Sequence, residues 1–167
     1  MILGFSTQIN NRPTYFVEKI QTALRLPYFK DSVGFHEGFV PPNFNFYVKS
    51  KCKPKLHTIR EDKTDRWHAG TKIDFFINVR KKDMFRFAPV MPVVSTQKVE
   101  ILYKGLFKAV IIDNDLFYTD CDNNLGEGKK RMLELAQNDG FDSMEDFFEY
   151  FNEDFKGKII HWTDLKY

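Results

Sequence analysis

The stretch Lys55-Leu56-His57-Thr58-Ile59-Arg60-Glu61-Asp62 gathers a lysine, a histidine, a threonine and an arginine in strand-forming sequence. With the side-chain period of two that extended backbone imposes, Leu56, Thr58 and Arg60 point to one face and Lys55, His57 and Ile59 to the other. For Lys55 and Thr58 to share a site the chain must bend between them, and a turn or strand start after Pro54 supplies the bend. The run leading into the stretch is basic: Lys49, Lys51, Lys53, Lys55 and Arg60 follow one another with no acid between. Farther on, Asp142, Glu145, Asp146, Glu149, Glu153 and Asp154 follow one another with no base between. A formal net charge of +2 hides this asymmetry, which implies one face suited to a polyanion and another that is simply solvated.

Working outward, Ile2 to Thr7 reads as a first strand, and Phe16, Ile20 and Leu24 form the apolar stripe of a helix that Pro27 ends. Residues 27–54, rich in Pro, Gly, Asn and aromatics, read as an ordered irregular arm with one short strand. Asp65 to Gly70 reads as a single helical turn. Ile73, Phe75, Ile77 and Val79 alternate as a strand should, as do Val99, Ile101 and Tyr103. Phe107–Ile112 and Leu116–Tyr118 flank the hairpin turn Asp113-Asn114-Asp115. A helix over about 127–138 stops at Gly140, and a second starts at Asp142 with Glu145 as a capping box and Met144, Phe148 and Phe151 as its stripe. Lys158 to Trp162 form the last strand. Strands on both sides of a helical pair, without strict alternation, predict an α+β fold with a largely antiparallel, barrel-like sheet.

The bulk numbers agree with one folded domain over residues 1–167: 43% of the residues are hydrophobic, and 18 are phenylalanine. The start of the chain lacks the pattern of a signal peptide and no window is long and apolar enough for a membrane span, so a soluble, cytoplasmic protein without a membrane partner is expected. Cys52 and Cys121 form no Cys-x-x-Cys pair and read as free thiols, although one disulfide between them stays open. His36, His57, His68 and His161 lack metal-ligand spacing, and no P-loop, dinucleotide fingerprint or nucleophile elbow occurs. No cofactor or metal is expected, and nothing points to a particular protein partner.

Lys55-x-x-Thr58-Ile59-Arg60, then Trp67-x-x-Gly70, then a strand ending Asn78-x-Arg80, resembles the ASCH superfamily. Ser95-Thr96-Gln97 opening a strand, Leu135-Ala136 leading to Asp139-Gly140-Phe141, and Ile160-His161-Trp162 in the last strand agree with it. The resemblance covers residues 50–167, leaving 1–49 as an N-terminal extension packed on that core. It implies a PUA-like β-barrel with packed helices and, as the commonest role of such folds, binding of RNA or of a nucleoside-like small molecule. Arg60, Trp67, Arg80, Gln97 and His161, together with Lys55, would then serve binding. Some small ASCH proteins are amidohydrolases that deacylate N4-acetylcytidine. Their lysine and threonine carry over to Lys55 and Thr58, and their glutamate position falls on Asp139, one methylene shorter. In that chemistry Thr58 is the nucleophile, Lys55 its base, and Asp139 orients Lys55 or a water.

Plainer readings stand beside these. Lys55 also fits a solvated basic run, Thr58 an ordinary strand position, and Arg60 a structural ion pair. Asp139 fits a turn aspartate before glycine, Trp67 a core plug, and His161 packing with one hydrogen bond.

Overall fold

The computed structural model describes residues 1–26, 39–121 and 125–167. Along the chain run β1 (Ile2–Phe5), β2 (Gln8–Ile9), β3 (Arg12–Pro13), α1 (Phe16–Ala23), α2 (Phe46–Lys51), β4 (His57–Arg60), β5 (Lys72–Ile77), β6 (Phe85–Arg86), β7 (Met91–Pro92), β8 (Ser95–Lys104), β9 (Phe107–Ile112), β10 (Asp115–Thr119), α3 (Leu125–Asn138), α4 (Met144–Tyr150) and β11 (Phe155–His161). The fold is α+β, with four helices and mostly antiparallel sheets among the described residues. Two compact units emerge: Met1–Lys55 with Thr71–Pro92, and Leu56–Gly70 with Val93–Tyr167. Among the described residues no helix is long and apolar enough to cross a membrane.

In the first unit β1 lies parallel to β5, with Leu3 opposite Phe75 and Phe5 opposite Ile77. Both strands alternate as their sequences predict, burying Leu3 and Phe5 from one and Ile73, Phe75 and Ile77 from the other. The Phe5 ring stacks on Phe75 at 5.9 Å and meets Phe87 edge-on at 5.7 Å, and α1 adds Phe16, Val17 and Ile20 to the core. In residues 39–54 the expected irregular arm differs: it contains no strand and carries the helix α2. The cause is local, since Asn45 Oδ1 accepts the Val48 N–H at 3.0 Å and starts the helix. The remainder of that arm, residues 27–38, lies outside the described residues.

In the second unit five strands pair antiparallel in the order β10-β9-β8-β11-β4. The order is linear, and no pairing among the described residues closes it into a barrel. Asp113 and Asn114, both with positive φ, make the tight β9–β10 turn that their sequence predicts. The helical turn expected over 65–70 is instead a loop held by a carboxylate. Asp62 accepts the N–H groups of Arg66 (3.0 Å) and Trp67 (2.9 Å), and Lys158 pairs with Asp62 and Asp65 while donating to the Trp67 carbonyl. The cap of α4 also falls one residue later than expected. Ser143 Oγ accepts the Asp146 N–H and donates to its carboxylate, in place of Asp142 with Glu145. That frame turns Phe147, fully buried, into the core beside Phe148 and Phe151, leaving Met144 half-buried.

Candidate functional site

β4 is an edge strand of its sheet, yet His57, Thr58 and Ile59 are all buried. The end of α3 covers that edge. Gly140, at φ +93°, closes the helix: Phe141 N–H donates back to Ala136 C=O and Gly140 N–H to Gln137 C=O. This leaves Asn138 and Asp139 facing the strand. The Asn138 carbonyl accepts the Leu56 N–H at 2.8 Å, and Asp139 Oδ1 accepts the Ile59 N–H at 3.0 Å. A carboxylate and a main-chain carbonyl thus stand where another strand would otherwise pair.

From Asp139 a polar network runs through the interior of the second unit. His57 Nδ1 lies 3.5 Å from Asp139 Oδ1, and its Nε2 is 2.8 Å from the Tyr167 hydroxyl, which also accepts from Asn138 Nδ2 at 2.9 Å. Asn138 donates to that oxygen, and the direction of the His57–Tyr167 bond follows the imidazole tautomer. With the proton on Nδ1, the imidazole presents it toward Asp139 and accepts from Tyr167; with it on Nε2, the imidazole donates to Tyr167. Burial pushes the Tyr167 phenol well above its ordinary pKa, with the Asn138 hydrogen bond opposing.

Gln97 brackets the other end of Tyr167. Its Oε1 accepts the Tyr167 N–H at 2.9 Å, while Nε2 donates to the Tyr167 carbonyl (2.8 Å) and to Asp113 Oδ2 (2.9 Å), so every polar atom of this buried amide is used. The Tyr167 ring meets Phe117 and His57 edge-on, each at 5.4 Å. His161, whose ring centre is 5.3 Å from that of His57, is fully buried, and neither of its nitrogens is hydrogen-bonded among the described residues. The single hydrogen bond expected for it is absent because β4 and β8 flank it with Cα partners His57 and Ser95, neither of which bonds its ring. Burial first, then repulsion by His57 and Lys166, lowers its pKa to about 3 against an opposing pull from Asp113, so it is neutral near pH 7.

No family model matches this chain, and no curated protein and no solved structure is significantly similar to it.

Of the residues singled out from the sequence, Thr58, Arg60, Trp67, Gln97, Asp139 and His161 belong to the second unit, and Lys55 and Arg80 to the first. Asp139 and Gln97 belong to the polar network around Tyr167, and His161 packs beside it, its ring centre 6.1 Å from that of Tyr167. The Thr58 hydroxyl makes no hydrogen bond among the described residues although the residue is 3% exposed. Arg60 borders a cavity of about 430 Å³ that it shares with Glu61, Glu153 and Asp154, an acidic neighbourhood. Trp67 is buried and packs as a core side chain. Lys55 is 1% exposed, its N–H donating to the Lys19 carbonyl and its ammonium lying 4.8 Å from the centre of the Phe16 ring. Arg80 is exposed, with positive φ, in the turn after β5. Lys49 turns inward as well, donating to the Leu26 carbonyl (2.7 Å) and Gln21 Oε1 (3.2 Å), and burial lowers its pKa against the pull of Cys52 and Glu18. Cys52 and Cys121 are both free.

Sequence reasoning passed over His57, Asn138 and Tyr167. Asn138 had a usable signal, since it directly precedes the Asp139-Gly140 helix stop. Tyr167 had none, because nothing local marks a residue six positions beyond a strand as the centre of a cage.

Proposed function

We propose that the second unit is an ASCH-type, PUA-like module that binds the base of a nucleotide, free or at an unpaired position of RNA. The observation that carries the reading is the Gln97 amide, which presents an acceptor and a donor side by side, here engaged by the Tyr167 N–H and carbonyl, inside an aromatic-walled interior. Base recognition uses this kit: paired donor and acceptor for the edge, rings for the faces. His57 and Asn138 supply further polar contacts at the far end of the same cage. Tyr167 occupies the cage, so the reading makes Tyr167 the ligand's competitor. The order of the motifs from Lys55 to Trp162 supports the family relation. Titration of the purified chain with cytidine, cytidine monophosphate and N4-acetylcytidine tests it. Binding is expected to strengthen in Tyr167→Ala and to be lost in Gln97→Leu; affinity indifferent to Gln97→Leu overturns the reading.

A second reading, amide hydrolysis of an N4-acylated cytidine, is favoured by a separate observation. Thr58 and Asp139, both of the second unit, are each 3% exposed, and the Thr58 hydroxyl makes no hydrogen bond among the described residues. In this chemistry Thr58 Oγ attacks the acyl carbonyl as a base takes its proton. The C–N bond then breaks and the proton passes to the leaving N4 amine. Water next cleaves the threonyl ester, releasing the carboxylic acid and restoring Thr58. Incubation with N4-acetylcytidine is expected to release cytidine and acetate in equal amounts, with Thr58→Ala inactive but folded. An active Thr58→Ala variant, or no turnover by the unaltered chain, removes this reading and leaves the binding titration unaffected.

A further inference from the structure

The first unit contains a cavity of about 480 Å³ lined by none of the residues discussed above as a functional site. Its volume falls within the range of small-molecule sites. The chemistry of its wall is lopsided. Tyr15, Phe16 and Phe85 contribute aromatic rings, Glu18 and Asp83 contribute carboxylates, and among the described residues no lysine, arginine or histidine lines it.

Glu18 is the deciding residue. It is 5% exposed, and its Oε1 accepts the Asn45 N–H at 2.8 Å, which fixes the carboxylate on the wall. Its second oxygen receives no hydrogen bond among the described residues. Lys49 feels the Glu18 charge, yet its ammonium donates to the Leu26 carbonyl and to Gln21. A buried carboxylate with one oxygen uncommitted, beside aromatic faces, attracts a cationic donor: the charge is compensated and the rings add cation–π attraction. A phosphate or carboxylate ligand would meet two like charges there. A wholly apolar ligand would strip water from Glu18 and return nothing. The start of α1 does not reverse this preference, because Glu18 itself lies in the first turn and answers the helix's positive end.

We propose that this cavity binds an alkylammonium or guanidinium group, with Glu18 as its counter-ion, the three rings around its apolar stem and Asp83 at the rim. The group can come from a small metabolite or from a lysine or arginine side chain of another protein. Calorimetric titration of the full chain at low salt separates them, using agmatine, spermidine and a capped Gly-Arg-Gly peptide, with adenosine monophosphate and inorganic phosphate as controls. At least one cation is expected to bind and both anions to fail. Glu18→Gln, which keeps the acceptor for Asn45, is expected to weaken binding about tenfold or more, as loss of a desolvated charge partner does. Phe85→Ala is expected to weaken it about fivefold through the lost ring. Agmatine binding without peptide binding identifies a free metabolite, and tighter peptide binding identifies a protein side chain. Failure of all three cations, unchanged affinity in Glu18→Gln, or binding of the anions instead overturns the proposal. Should Glu18→Gln unfold, the Phe85→Ala and Asp83→Asn variants carry the same test.

Discussion

A neutral histidine buried with two unused ring nitrogens is a standing cost, and His161 makes that cost measurable. Its folded pKa is about 3, against 6.5 for the free side chain, so between those values the unfolded chain takes up a proton that the folded chain refuses. This proton-linked penalty is absent above pH 6.5 and grows as pH falls toward 3, with a slope of up to about 1.4 kcal/mol per pH unit. Urea unfolding at pH 7.5, 5.5 and 4.5 is expected to show His161→Leu losing stability less steeply than the unaltered chain, by close to one proton. At pH 7.5 the variant is expected to be at least as stable, because an unsatisfied buried polar atom costs about 1–3 kcal/mol. Parallel pH profiles for the two proteins would show that His161 does not titrate in this range. Tyr167 presents the opposite case, a hydroxyl shared by two partners. Tyr167→Phe leaves His57 Nε2 and Asn138 Nδ2 without it and is expected to cost about 1–2 kcal/mol at neutral pH. A variant as stable as the parent would mean that the cage holds the ring and not the hydroxyl.

Among the elements, β11 shows how closely the second unit is built and why sequence reading reached only part of it. Its apolar residues Ile159 and Ile160 are both fully buried, so the strand carries core on both faces, and it was legible as a strand from composition alone. So were β5, β8, β9 and β10, whose alternation is a local property, and α3, whose stripe and glycine stop lie within one stretch of chain. What composition does not encode is the approach of Gly157 to its neighbour. A methyl group there would lie 2.3 Å from the Arg60 carbonyl oxygen and 2.7 Å from the Phe155 ring. The first of these atoms belongs to backbone, which cannot yield without parting β11 from β4. Gly157→Ala is therefore expected to destabilise by about 3 kcal/mol or more, and to lower the hydrogen-exchange protection of Thr58 and Arg60 before that of β9. Protection lost evenly over the sheet would show that the contact is not the local pin that its geometry makes it. The α4 cap has the same moral on a smaller scale: Asp142 with Glu145 and Ser143 with Asp146 both fit the pattern, and only the burial of Phe147 selects between them.

For the whole molecule, the pairing of β1 with β5 joins residues about seventy positions apart, and a parallel pair has no turn beside it to announce itself. The sequence motifs group 50–167 as one core, whereas the contacts group 71–92 with the N-terminal residues. Charge shows a similar gap between string and structure. The basic run from Lys49 to Arg60 reads as a polyanion-binding face, but Lys49 and Lys55 point inward, leaving Lys51 and Lys53 exposed and Arg60 half-buried among acids. A lysine surrounded by protein releases no counterion from a nucleic-acid backbone, so the run offers at most about three phosphate contacts. For a single strand each contact adds about −0.7 to the slope of log affinity against log salt, which bounds this run's contribution near −2. If the base is recognised first and the backbone second, a short unstructured oligonucleotide will bind with a slope of about −2 or shallower. Charge reversal at Lys51 and Lys53 together should remove about 1.4 of that slope and leave the affinity for cytidine unchanged. A slope near −4 that survives the double reversal would place the backbone contacts on another surface and make RNA, not the nucleoside, the ligand to which the protein is shaped.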